Sequence, residues 1–182
     1  MCARKDSRQP TFNGSFDGAH HAIVNLSITT NDAHAGIFGM LGEDVEMKDL
    51  VFARPTIQVT DDNQFVGVLA GESTQDNISN VHVFDGKISG EADATIGGIV
   101  GGSFLYTNFN DCSFQGNINT PEASPVGGIV GHHGLHARRT GGCSVRLHHQ
   151  RPRQGPLHRE GNGRYGSSDN GKGNGEIIAY EE

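Results

Sequence analysis

One phrase recurs four times along this chain at almost constant spacing. It reads Ala35-Gly36-Ile37-Phe38-Gly39, then Val66-Gly67-Val68-Leu69-Ala70-Gly71, then Ile96-Gly97-Gly98-Ile99-Val100-Gly101, then Val126-Gly127-Gly128-Ile129-Val130-Gly131. The closing glycines, Gly39, Gly71, Gly101 and Gly131, recur at intervals of about 30 residues. A second phrase is interleaved: Asn25-Leu26-Ser27-Ile28, Asp49-Leu50-Val51-Phe52, Asn80-Val81-His82-Val83 and Asp111-Cys112-Ser113-Phe114. A period of this size belongs to chains built from stacked units, each too thin to bury its own apolar face.

Within each unit the apolar residues fall at every second position, as in Val81-His82-Val83 and Ile23-Val24-Asn25-Leu26-Ser27-Ile28. Alternation of this kind points one set of side chains inward and the other outward, which is a strand signal. The runs are short and are bounded by Gly, Asn, Asp and Ser, the residues of turns. No 3.6-residue apolar period is sustained over residues 11–131, so almost no helix is expected. A coil of about 30 residues becomes stable when the next coil stacks on it about 4.8 Å away and pairs its strand edges. Equivalent positions then form ladders. Three are expected: Leu26, Leu50, Val81 and Cys112; Ile28, Phe52, Val83 and Phe114; Ile37, Leu69, Ile99 and Ile129. Asn25, Asp49, Asn80 and Asp111 precede the strands of the second phrase and are expected at tight corners. The fold class is therefore all-β, a parallel β-helix of about four to five coils.

Composition agrees with this reading. Glycine accounts for 27 of 182 residues and apolar residues for 34%, thin for a compact globule but enough for a stacked coil. The net charge of −7 argues against a nucleic-acid partner. No run approaches the ~18 apolar residues of a membrane span. Met1 to Asp6 holds no apolar stretch, so no signal peptide is expected there.

The pattern breaks near the C-terminus. Residues 1–131 hold 6 Lys and Arg against 16 Asp and Glu; residues 132–182 hold 8 against 5. Six of the ten histidines lie in that last segment. Cys143 follows Cys112 at the same interval that separates Cys112 from Val81, so Gly142-Cys143-Ser144-Val145 continues the second phrase. From Arg146 onward no period remains. Repeats are expected over 11–145, with an irregular tail over 146–182. That tail reads either as the product of a shifted reading frame or as a disordered, weakly hydrophobic segment.

The stretch Phe12-Asn13-Gly14-Ser15-Phe16-Asp17-Gly18-Ala19-His20-His21-Ala22-Ile23-Val24-Asn25-Leu26-Ser27-Ile28 resembles the opening phrase of GLUG-repeat proteins. The Gly-Gly-Ile-Val-Gly phrases resemble the repeat that gives that family its name. The resemblance covers about residues 11–145, with one departure: His20 stands where the family usually has glycine, which strains the first corner. It implies a right-handed parallel β-helix in an extracellular or cell-surface setting. Members are mostly bacterial adhesin-like proteins, or the non-catalytic part of immunoglobulin A proteases. The implied partners are host or matrix glycans, or surface proteins. Longer relatives carry more chain and a secretion signal ahead of the opening phrase, so a fragment of a longer protein or a misplaced gene start is expected.

Several residue groups resemble sites. Asp61-Asp62 and Glu43-Asp44-Val45-Glu46 are oxygen-rich, as calcium prefers, but solvated turns on an acidic solenoid explain them better. His132-His133-x-x-His136 has metal-like spacing. Gly161-Asn162-Gly163-Arg164-Tyr165-Gly166 fits a dinucleotide pattern without the strand and helix that give the pattern its mechanism. Cys112 and Cys143 should stack one coil apart, where in-register Cβ vectors suit a disulfide poorly. Asn13, Asn25 and Asn77 open glycosylation sequons by pattern alone. None of these supplies a catalytic residue, a cofactor site or a metal site. The expected function is a non-catalytic structural or adhesive module. A carbohydrate-binding or polysaccharide-degrading β-helix is the alternative, with Phe104, Tyr106 and Phe109, and Phe65 and Phe84 if they face outward, as a stacking surface. An ice-binding face would need a regular outward threonine ladder, and the outward positions are mixed.

Overall fold

The computed structural model describes residues 11–60, 64–90, 93–120, 125–134, 138–139 and 143–147. They form a parallel β-solenoid of about four coils, and no helix occurs among the described residues. Each coil passes through three sheets. The first contains Thr11–Phe12, Phe38–Leu41, Ala70–Thr74, Val100–Phe104 and Val130–His133. The second is longer and holds ten strands, with Asn77–Ser89 at its centre between Glu46–Ala53 and Ser113–Asn119. The third contains His34–Ala35, Phe65–Val66, Thr95–Gly97 and Val126–Gly127.

Register follows the sequence period. Ala70 pairs with Phe38 on one side and Val100 on the other, and Val100 pairs with Val130. The Ile37, Leu69, Ile99 and Ile129 ladder is present, with Leu69 and Ile99 fully buried. Val81 stacks on Leu50, and Val83 lies between Phe52 and Phe114, as expected. Val145 extends that last column through Ser144–Leu147, so the pairing continues past Val145 to Leu147. The rest of the expected irregular tail lies outside the described residues.

The first coil departs from expectation. Leu26 does not stack on Leu50, nor Ile28 on Phe52. Ile23 lies over Phe52, and Ile28 heads a different column with Ile57, Ile88 and Ile118. The reason is that the solenoid has more than one left-handed corner. His20, Asp49, Asn80 and Asp111 turn one corner at φ between 48° and 58°. Asn25, Arg54 and Asp85 turn the next, at φ between 52° and 57°. Asn25 thus belongs to the second corner rather than to that of Asp49. Its backbone N–H donates to Ala53 O, beside Arg54. Asn and Asp tolerate this conformation better than other non-glycine residues, so a short Asn-Leu phrase fits either corner. His20 sits at φ 58°, the strain expected where glycine is replaced.

The repeated glycines do more than turn corners. A Cβ on Gly71 would lie 2.7 Å from the Ala35 nitrogen and the His34 Cα, and one on Gly101 would strike the backbone of Phe65 and Val66. These positions press the first sheet against the third, backbone to backbone, so no side chain fits between them. The strands of the two sheets are joined by the tight Gly-Gly-Ile turn of the same phrase. The apolar core therefore lies mainly between the long second sheet and the Leu69, Ile99 and Ile129 ladder, with Phe52, Phe109 and Phe114 as its largest fully buried side chains.

Among the described residues one charged side chain is buried in this interior, with Ser73 and Thr107 beside it. In the column where the second coil has Val45 and the fourth Thr107, the third has Asp76. Its carboxylate accepts from the Val45 N–H at 3.0 Å, the Ser73 hydroxyl at 2.6 Å and the Thr74 N–H at 3.0 Å. Burial pushes its pKa up to about 6, while the three donors oppose that shift.

Candidate functional site

The outward surface carries a string of rings that crosses all four coils. His34 and Phe65 are register partners in the third sheet, and their rings stack at 5.8 Å and 12°. Phe65 meets Phe104 edge-on at 5.8 Å, and Phe104 meets His132 at 5.7 Å. Gly102 leaves the room: a Cβ there would come within 2.7 Å of Phe65 and 3.0 Å of Phe104. Glu72 lies beside the string, with its Oε2 2.8 Å from His34 Nε2. Phe65, Phe104 and His132 are half-buried, and the turn after Phe104 exposes Leu105 and Tyr106, the latter at 52%. Apolar ring faces beside a carboxylate suit a ligand with both C–H faces and hydroxyls.

Two members of the expected stacking surface stand elsewhere. Phe109 is fully buried, in the column of Met47 and Ile78. The alternation of its strand, Asn108–Asn110, turns it inward between two outward asparagines. Phe84 is exposed at 45%, but its ring lies near His82 on the long sheet, away from the string.

A polar ladder marks the first corner. The Asn80 amide donates to Asp49 Oδ1 at 2.5 Å, and Asn80 Oδ1 lies 2.7 Å from His82 Nε2. His82 Nδ1 continues the chain to the Ser113 hydroxyl at 2.8 Å. At neighbouring corners Asn108 donates to Asn77 and Gln75 to Asp44. These amide bonds between coils are the structural use of the Asn and Asp residues.

The other sequence candidates are not brought together. Glu43, Asp44 and Glu46 are exposed; Asp44 turns a corner at φ 60°, and Glu46 lies 3.7 Å from Lys48. His132 and His133 are neighbours on a strand and face opposite ways, His132 against Phe104 and His133 against Phe109. Such a pair cannot grip one ion. His136, Asp61, Asp62 and the Gly161–Gly166 segment lie outside the described residues. No three His, Cys, Asp or Glu side chains converge on a metal position among the described residues. Cys112 and Cys143 stack as expected and form no disulfide. The neighbouring Cys143 and burial both push the Cys112 thiol up, far from a reactive thiolate. No described helix is long and apolar enough to cross a membrane.

No protein-family model, curated protein or solved structure matches this chain.

Proposed function

We propose that this chain is a non-catalytic structural and adhesive module of a bacterial surface-exposed or secreted protein, of the GLUG-repeat kind. The observation that carries the reading is the division of labour between its two faces. The inward positions form a largely apolar core that runs from coil to coil, broken by Asp76 and its hydroxyl neighbours, and the outward positions present a ring string running along the axis. Such a scaffold offers the same kind of contact repeatedly, and repeated weak contacts add up when they engage together. The resemblance of residues 11–145 to GLUG repeats supports the bacterial, extracellular setting.

A second reading, a carbohydrate-binding module, is favoured by the string itself, since Phe65 and Phe104 face outward next to Glu72. Both readings are tested by passing the purified chain over immobilised host and matrix glycans and matrix proteins. Retention without release of reducing ends, and without cleavage of casein, is expected. Turnover that disappears in Asp111→Ala would overturn the non-catalytic reading. Loss of glycan retention in a Phe65→Ala, Phe104→Ala double variant would favour the carbohydrate reading over protein adhesion.

A further inference from the structure

A groove of about 550 Å³ follows the second left-handed corner across all four coils, away from the ring string. Its walls include Asn25 from the first coil, Arg54 from the second, Asp85 and Lys87 from the third and Asn117 from the fourth. The groove has an identifiable origin. The first three coils turn this corner on Asn25, Arg54 and Asp85, all left-handed and exposed. At this corner the fourth coil is one residue shorter. Val83 pairs with Phe114 and Gly86 with Gly116, so two intervening residues face one. The fourth coil cuts the corner, and Gly116 lies against the Gly86 backbone with no room for a Cβ. Two side-chain-free residues thus line the groove where the coils change length.

The chemistry of this groove differs from that of the surface around it. Two cationic side chains, Arg54 and Lys87, line the groove. Lys48 is occupied by Asp17 and Glu46, each at 3.7 Å. Arg54 donates its Nε to Asn25 Oδ1 at 3.0 Å, which fixes the guanidinium and leaves its outer nitrogens for a ligand. Lys87 pairs with Thr56, just past Arg54, so the two residues belong to adjacent coils, whose backbones lie about 4.8 Å apart. Asp85, exposed at the corner, supplies an acceptor, and Asn117 closes the groove on the fourth coil. The groove therefore offers cations for carboxylates together with an acceptor for hydroxyls. A polyanion with few free hydroxyls would satisfy the cations but leave Asp85 without a donor, whereas a neutral sugar would leave the cations unused.

We propose that this corner groove binds a carboxylated sugar chain, a polyuronate laid along the solenoid axis. Arg54 and Lys87 take its carboxylates, and Asp85 accepts from its hydroxyls. The assignment rests on the reading of this protein as an adhesive module and names one ligand class for it. The groove uses charge and hydrogen bonds and is independent of the ring string.

The test is retention of the full chain on immobilised polygalacturonate and polymannuronate, with neutral glucan, a sulfated glycan and double-stranded DNA as comparison polymers. Polyuronate binding that is at least tenfold tighter than binding to the other three, and that weakens with salt, is expected. Lys87→Gln with Arg54→Asn, the latter tolerating the left-handed corner, should lower that affinity at least tenfold, while Lys48→Gln, which removes a cation outside the groove, should leave it unchanged. If the double variant does not keep the wild-type melting temperature, Lys87→Gln alone, at an exposed position, is expected to cost at least threefold. Equal binding to sulfated glycan or DNA overturns the proposal, as does an undiminished affinity in the folded variants. Retention on neutral glycans or matrix proteins alone also overturns it, and leaves the adhesive reading standing.

Discussion

The first coil and the coils beneath it are written in the same pattern but buried differently. Ile23, Phe52 and Val83 occupy one column, yet Phe52 and Val83 are fully buried and Ile23 is only half-buried. Phe16 heads the column of Met47, Ile78 and Phe109 and remains 38% exposed, while the three below it are at 0%. In a solenoid, burial is conferred by neighbours above and below, so identical alternation yields a core residue in the middle and a lid residue at the end. Stability should therefore depend on coil number more than on residue type.

The sharpest test sets one substitution against its copy. Val83→Asp places an unpaired charge between Phe52 and Phe114 and should destabilise by about 4 kcal/mol. Ile23→Asp in the same column can turn its carboxylate to solvent and should cost about 1–2 kcal/mol. Urea melts of both measure the difference, and equal midpoints would mean that the end coil is as enclosed as the middle. Next comes Gly101→Ala, which forces a methyl into the Phe65–Val66 backbone and should cost about 2–3 kcal/mol. A neutral result would show that the first and third sheets can separate.

Asp76 probes the middle coils through pH. Its folded pKa of about 6 exceeds that of an unfolded aspartate, so the folded state holds the proton more tightly. Its contribution is greatest below about pH 4 and is lost as pH rises through about 6, a decline on the order of 1–2 kcal/mol. Thermal melts between pH 4 and 7 should show that slope in the wild type. Asp76→Asn should flatten it. The smallest expected effect is that of Asn80→Ala, about 1 kcal/mol by chemical denaturation, from the lost bonds to Asp49 and His82.

Much of this architecture is legible in the residues. The spacing of Gly71, Gly101 and Gly131 carries the period, and the Leu69, Ile99 and Ile129 ladder follows from it. The alternation in Val81-His82-Val83 puts Val83 inside. What misleads is local. Asn25-Leu26 mimics Asp49-Leu50 because both asparagine and aspartate turn left-handed corners, and only the short interval between them, less than a full repeat, tells them apart. Arg54 at a left-handed φ carries no sequence signal at all, so the corner it turns is hidden, and with it the groove. Phe109 is open to misreading because Thr107-Asn108-Phe109-Asn110 does not reveal which face looks inward until the strand above it is known. The ring string needs the same information, since Phe65 and Phe104 belong to different sheets and occupy no common position of the repeat.

The orientation of the hydrogen bonds also has a mechanical consequence. Every sheet is parallel, and its bonds join one coil to the next along the long axis. A pull along that axis therefore bears on the few bonds nearest the point of attachment and opens them in turn, like a zip, instead of shearing a whole sheet at once. Each coil that peels away frees about 30 residues, or about 100 Å of extended chain. Under tension the molecule would lengthen in equal steps, and each coil still stacked would keep its own neighbour contacts until its turn came.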